Sequence, residues 1–368
     1  MRTDTQQIEE EIEGLDGMED AGWGDYPIDT FLIRNEVRTV FDVTRRIGKG
    51  QYVMNPDFQR DFIWEDDKQS KLIESVLMRI PLPVFYLAED DKGRMVVVDG
   101  LQRLSTFDRF LKNELKLQLP DQKELHGKYF RELSPKLQNR VEDCNLIIYI
   151  VDAKVPERAR LDIFERVNGG VPLTRQQMRN CLYMGKATAF LKAEAASDLF
   201  KAATGDSLQS STMRDREFVN RFAAFRLLGY TTYDNKDEMD GFLAKALTRM
   251  NQMSAEELAS LSAEFRNALR INDAIFGEHA FRKHRPGQDR RSVLNASLWD
   301  VMTTGYCQIS EPHALAHAEA FKERFFKLLE EDHFNRSITY GPNSANQVHH
   351  RFEVINKLFQ EVYGAHLD

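Results

Sequence analysis

The sequence predicts an α+β protein, in which a small mixed α/β domain, residues 37–155, precedes a larger all-helical domain, residues 156–368. Two observations carry that prediction. Short apolar runs separated by turn residues (PLPVFYLAE, RMVVVD and NLIIYIVD) lie before residue 156 and read as strands. After residue 156, apolar residues recur almost everywhere at helical spacing. A chain of 368 residues, 42% hydrophobic and 29% charged, is long enough for two or three domains with ordinary cores.

The chain opens on an acidic segment. Residues 1–25 carry nine carboxylates and one base, Arg2, which leaves 49 acids and 49 bases in the remainder. The formal net charge of −8 therefore belongs to this segment alone. It is expected to be a disordered, solvating tail, or, in a second reading, a mimic that occupies a basic groove. FLIRNEVRTVFDVTRRIGKG reads as an extended lead-in and then a helix with Val40, Phe41, Val43 and Ile47 on its apolar face, stopped at Gly48 or Gly50. Asn55-Pro56-Asp57 is turn chemistry, because proline fixes its own φ and pushes the residue before it out of the helical region. DDKQSKLIESVLMRI is an amphipathic helix, with Leu72, Ile73, Val76, Leu77 and Ile80 on one face and Asp66 and Asp67 at the end where the dipole favours acids.

PLPVFYLAE and RMVVVD, joined by a loop containing Gly93, predict a hairpin, and the continuous apolar run of the second strand places it inside the sheet. A helix over 101–112 follows at once. SPKLQNRVEDC is a short helix with Ser134 as N-cap and Pro135 in the first helical position, and NLIIYIVD, 145–152, is a further buried strand. PERARLDIFERVNGG is a helix from a proline to a double glycine, and PLTRQQMRNCLYMG another, with Thr174 and Gln177 in capping-box positions. REFVNRFAAFRLLGY, DGFLAKALTRMNQM, SAEELASLSAEFRNALRI, SVLNASLWDVM and HALAHAEAFKERFFKLLEE continue the helical pattern, with loops at 204–213 and 282–291.

Several function classes are excluded at this level. No stretch approaches the ~18 uninterrupted apolar residues of a membrane helix. MRTDTQQIEEEIEG has no apolar core, so no secretory signal is expected and the chain is expected to be cytoplasmic. Cys144, Cys181 and Cys307 lie far apart, which argues against a disulfide framework or a CxxC zinc site and for three small packed hydrophobes. His313 and His317 have the i, i+4 spacing of metal ligands, but HALAHAEA has no glutamate between them and reads as a surface helix face.

Three stretches carry candidate chemistry: PDFQRDFIW (56–64), VVVDGLQR (96–103) and IFERVNGGVPLT (163–174). In the second, a strand ends in Asp99-Gly100 and turns into a helix, whose free N–H groups and dipole attract an anion. Gly100 allows a ligand close to the backbone. Arg103 in the first helical turn is a cation where the dipole prefers an acid, so it needs a partner: Asp99, another acid, or a phosphate. In the first stretch, Gln59 and Arg60 lie between Phe58 and Phe62, a grouping that suits stacking on a base and suits a core edge equally. In the third, Asn168-Gly169-Gly170 has the form of a helix stop. RKHRPGQDRR, 282–291, has five Lys or Arg and one acid, and reads either as a phosphate-backbone contact or as a solvated loop.

PDFQRDFIW, KLIESVLMRIPLPVFYL, VVVDGLQRLSTFDRFL and IFERVNGGVPLTRQQMRN, in that order over about 39–185, resemble the motifs of domain-of-unknown-function family 262. That family is also called the GmrSD restriction-endonuclease N-terminal domain and belongs to the ParB/sulfiredoxin-like superfamily. MRDREFVNRFAAFRLLGY continues the likeness with weaker motifs. The resemblance implies a ParB-like α/β domain whose DGQQR turn binds, and in some members hydrolyses, a nucleoside triphosphate, in proteins of DNA restriction and antiphage defence. On this chain the turn is Asp99, Gly100, Leu101, Gln102, Arg103, with leucine where the common pattern has glutamine. Leucine cannot orient water, so if the family's glutamine assists hydrolysis this chain is expected to bind nucleotide and turn it over poorly, and if that position only packs nothing changes. The resemblance assigns Asp99, Gln102 and Arg103 to catalysis. It assigns Gln59, Arg60, Gly100 and Asn168 to the nucleotide, with Mg²⁺ as companion of its phosphates. The HNH-type nuclease half of some members has no counterpart among these motifs, so cleavage is expected of a partner nuclease protein or of an unrecognised site, and DNA is the other partner the resemblance implies. Two other readings stay open: a DNA-binding module without catalysis, and an interaction scaffold whose polar turns staple the α/β core.

Overall fold

The computed structural model describes residues 12–13, 33–54, 64–90, 93–155, 159–161, 163–164, 174–234 and 238–364. These fall into two compact units, one of Asp25–Leu182 and one of Met1–Gly24 with Tyr183–Asp368. The first unit is an α+β domain. Its described elements are β1 (Ile33–Thr39), α1 (Val40–Gly48), β2 (Tyr52–Val53), α2 (Asp66–Leu77), β3 (Phe85–Glu89), β4 (Met95–Asp99), α3 (Leu101–Leu111), α4 (Pro135–Glu142), β5 (Asn145–Val151) and the helix Arg175–Leu182.

The five strands are ordered β1-β5-β3-β4-β2. β3 and β4 pair antiparallel, as a hairpin requires, and β3 and β5 pair parallel. β4 is flanked on both sides, which accounts for its unbroken apolar run. Phe85, Leu87, Val97, Leu146, Ile148 and Ile150 alternate along their strands and join the apolar faces of α1 to α4 in one core. The helix Arg175–Leu182 packs against β4. That contact carries the compact unit past the 155/156 boundary read from the sequence, because a change from strand to helix periodicity does not mark the end of a packed layer.

Two residues of the predicted apolar faces lie elsewhere. Phe41 is 54% exposed while Val40 and Val43 are buried, so the face of α1 is narrower than its apolar residues suggested. Ile80 is 48% exposed. The helix has ended by then: Met78 is the C-cap and Arg79 takes φ 61°, which turns Ile80 away from the helix face. The turn at 55–57 lies outside the described residues.

The second unit is helical, with long helices Arg214–Leu228, Glu238–Gln252, Ala255–Phe276, Ala296–Tyr306, Ala318–Glu330 and Ala345–Tyr363 around a core that includes Trp299, Phe222 and Phe265. HALAHAEAFKERFFKLLEE is two helices that break at His317. His313 and His317 therefore share no continuous helical face. Their ring nitrogens lie against the carbonyls of Tyr363 and His313 respectively. Glu13, from the acidic segment, also belongs to this unit. It bridges to Asn295, donating its N–H to the Leu294 carbonyl at 2.9 Å and accepting from Ala296 N at 2.8 Å. The rest of the acidic segment lies outside the described residues.

Candidate functional site

The Asp99–Arg103 turn joins β4 to α3. Gly100 has φ 97°, a left-handed conformation that costs glycine little. A Cβ there would sit 2.3 Å from the Phe85 ring and 3.2 Å from the Arg103 guanidinium. This glycine is therefore explained by internal packing as well as by the turn. Gly100, the N-cap residue, has no side chain with which to cap α3. The first carbonyl-to-amide bond of α3 runs from Leu104 N to Gly100 O, so the helix starts directly after the turn.

Of the partners the sequence left open for Arg103, the structure places Asp99 and two backbone carbonyls. Nη2 donates to Asp99 Oδ2 at 2.8 Å and to the Val84 carbonyl at 3.0 Å, and Nη1 donates to the Pro83 carbonyl. The guanidinium lies 4.2 Å from the Phe85 ring centroid, and the residue is 9% exposed. Burial pushes its pKa below the usual arginine value, and Asp99 pulls in the opposite direction. Arg103 thus clamps the lead-in of β3 to the turn. A register shift in β3 between Tyr86 and Leu87, opposite Asp99, accompanies this clamp. The Asp99 side chain keeps 34% exposure.

Gln102 reaches in another direction. Its Oε1 accepts the Trp64 N–H at 3.1 Å, which ties the end of the first polar stretch to the first turn of α3. Gln69 Nε2 donates to the Trp64 carbonyl at 2.5 Å, and Arg109 Nη1 donates to Gln69 Oε1 at 2.8 Å and to Asp66 Oδ1 at 3.2 Å. Two motifs distant in sequence therefore meet at Trp64. Leu101 is 7% exposed and belongs to the hydrophobic core. Its side chain faces inward, away from the open end of the helix. Gln59, Arg60 and Asn168 lie outside the described residues.

The helix Arg175–Leu182 supplies residues that sequence reasoning missed. Thr174 and Gln177 form the expected reciprocal cap, with Thr174 N donating to Gln177 Oε1 at 2.7 Å and Gln177 N to Thr174 Oγ1 at 3.2 Å. Beyond the cap, Gln176, Arg179 and Asn180 are all buried. Arg179 Nε and Nη2 donate to Gln176 Oε1 at 3.0 and 2.9 Å, and Gln176 Nε2 donates to Asn180 Oδ1 at 2.9 Å. A buried polar network on the helix that packs against β4 is costly unless every member is satisfied. The available signal was RQQMRN itself, a helical hexapeptide with Met178 as its single apolar residue.

The other candidates resolve differently. Arg282 in the basic loop is buried, donating to the carbonyls of Ser292 and Thr204 at 2.7 and 2.8 Å and to Ser207 Oγ at 2.8 Å, so it serves the fold. Arg285 and Arg290 are exposed. Cys181 and Cys307 are buried and Cys144 half-buried, as expected of packed thiols, and burial raises the Cys307 pKa to about 12. Among the described residues no group of three His, Cys, Asp or Glu is placed to hold a metal, and no helix is long and apolar enough to cross a membrane.

Residues 40–184 match the family model of the GmrSD restriction endonuclease, N-terminal domain. The match spans all three polar stretches, and its end falls within two residues of the end of the α+β unit at Leu182. No curated protein matches the chain.

Proposed function

We propose that this chain, whose residues 40–184 are a GmrSD restriction-endonuclease N-terminal domain, is a component of a DNA-restriction, phage-defence system and binds a nucleoside triphosphate at the amino end of α3. The observation that carries the nucleotide is the amino end of α3, entered through Gly100, beside a partly exposed Asp99. The helix dipole gives that end the electrostatics of a phosphate site. Arg103 acts by fixing the turn. Asp99 Oδ2 is committed to Arg103, so Oδ1 is the oxygen that would meet Mg²⁺ arriving on the phosphates. One carboxylate is enough for this, because magnesium commonly takes one or two carboxylates and fills its sphere with phosphate and water oxygens. Gln102 holds the first motif against the turn, Gln59 and Arg60 form a second polar arm, and Asn168 closes the site. DNA and a nuclease protein are the partners of this reading.

One observation favours a scaffold instead. The Arg103 guanidinium is closed off by its own chain, as a purely structural staple would be. Calorimetric titration with ATP, GTP, CTP and UTP in the presence of Mg²⁺ separates the two, with phosphate release followed in parallel. Wild type is expected to bind at least one of them, with Arg103→Ala weaker by about tenfold or more as the turn loosens. Failure of wild type to bind all four leaves the scaffold.

A further inference from the structure

The carboxyl end of α2, the segment that leaves it and the helix α4 border an open groove of about 470 Å³ in the α+β unit, and none of its lining residues belongs to the Asp99–Arg103 turn. That volume falls in the range of small-molecule sites, about 300–1,000 Å³. Val76, Ile80 and Leu82 give the groove an apolar wall, and Ile80 is the residue that the end of α2 turns out to 48% exposure. Arg79, Lys136 and Arg140 bring three cations to it against one acid, Asp143. No aromatic ring lines it, so it offers a base nothing to stack on.

Two of these cations sit where local structure disfavours them. Arg79 N donates to the Val76 carbonyl and Ile80 N to the Ser75 carbonyl, both at 2.9 Å, which closes α2 on a left-handed Arg79 at φ 61°. A cation suits that end of the helix dipole, but glycine is the usual occupant of the position, because a β-carbon is strained there. Lys136 follows Pro135 in the first turn of α4, where the dipole favours an acid. Both residues are exposed, and neither makes an ion pair or a side-chain hydrogen bond among the described residues. Arg140 is half-buried, and its Nη1 donates to the Leu77 carbonyl at 2.9 Å, which fixes the guanidinium at the groove. Asp143 pairs with none of the three among the described residues. Three cations without a neutralising partner, beside an aliphatic wall, have the form of a site for an anion with an apolar body.

We propose that this groove binds a small organic anion, an aliphatic body with a carboxylate or phosphate head, with the body on Val76, Ile80 and Leu82 and the head among Arg79, Lys136 and Arg140. The inference does not depend on nucleotide binding at α3, and its test is read on different residues. The full chain is titrated calorimetrically with octanoate, octyl phosphate and uncharged octanol, each below its micellar or solubility limit. Wild type is expected to bind at least one of the two anions, and the tighter of them names the head group. Octanol is expected to bind at least about fivefold more weakly, as are the anions to Arg79→Gly and to Lys136→Ala, because one part-exposed charge contact supplies about that factor. Arg79→Gly is expected to keep the thermal midpoint of wild type or exceed it, since glycine relieves the left-handed residue, so its weaker binding is not a loss of fold. Cys144 lines the same groove and is half-buried, whereas Cys181 and Cys307 are buried. Its alkylation by N-ethylmaleimide, followed by mass spectrometry of the labelled peptide, is expected to slow when the anion is bound. No binding of either anion, octanol binding as tightly as the anions, wild-type affinity in both variants, or Cys144 alkylation unchanged by the bound anion each overturn the proposal.

Discussion

Arg103 and Leu101 are two residues apart and show what a side-chain pattern can and cannot reveal. The cation at the wrong end of a helix was visible as an anomaly in the sequence. Its solution was not, because two of its acceptors are the backbone carbonyls of Pro83 and Val84, which leave no mark on residue type. Leu101 drew attention as a departure from the family pattern, and the structure places it in the core at 7% exposure. Leu101→Gln is therefore expected to bury an amide and lose apolar contact, lowering stability by about 2–4 kcal/mol in denaturant unfolding. Increased phosphate release by that variant at unchanged stability would place the side chain in the site. Gln59, Arg60 and Asn168 stand on the sequence and the family resemblance alone.

At the scale of elements, period and capping residues located most helices and strands before any packing was known. Sequence pattern was least informative where a helix is buried on several faces. In Arg214–Leu228 the buried residues include Asp215, Glu217, Asn220 and Arg221 as well as the phenylalanines, so the helix has no polar stripe to reveal its orientation. Burial raises the pKa of Asp215, and the backbone N–H of Arg216, 2.8 Å away, opposes the shift only partly. The folded state then holds that proton more tightly than the unfolded chain, so between the ordinary value of 3.8 and the raised value the contribution of Asp215 to stability falls as pH rises. Asp215→Asn keeps an acceptor for the Arg216 N–H and cannot ionise. Its thermal midpoint is expected to exceed that of wild type at pH 7, with the difference closing as pH falls through this window. A constant difference across the same range would assign the effect to packing.

At the scale of the whole chain the α+β class and the order of its parts were legible, because strand and helix periodicities segregate along the sequence. The extent of the first unit was not, since the packing of Arg175–Leu182 on β4 is a tertiary fact. Nor was the polar centre of the helical unit legible. Asp300, fully buried, receives Arg221 Nε and Nη2 at 2.8 and 2.5 Å and Arg351 Nη2 at 3.0 Å, tying together the helices Arg214–Leu228, Ala296–Tyr306 and Ala345–Tyr363. Two guanidiniums share one carboxylate, with the Asn343 side chain and the Pro342 carbonyl as additional acceptors. Asp300→Ala leaves two buried cations facing each other and is expected to cost about 3–5 kcal/mol. Replacing all three together (Arg221→Met, Asp300→Leu, Arg351→Met) is expected to recover most of that loss, because the desolvation penalty disappears along with the attraction. If the triple variant is less stable than Asp300→Ala in urea unfolding, the triad contributes more attraction than its burial costs.

The bridge between Glu13 and Asn295 spans 282 residues of chain, and the α+β unit lies wholly between its two ends. Synthesis runs from the amino end at about 5–20 residues per second. The α+β unit is thus complete roughly ten seconds before Leu294, Asn295 and Ala296 emerge. Through that interval Glu13 has nowhere to dock, and a chain cut short before residue 294 never acquires the place. The docking of Glu13 is thus a chemical signature that the chain has been made at least as far as Ala296.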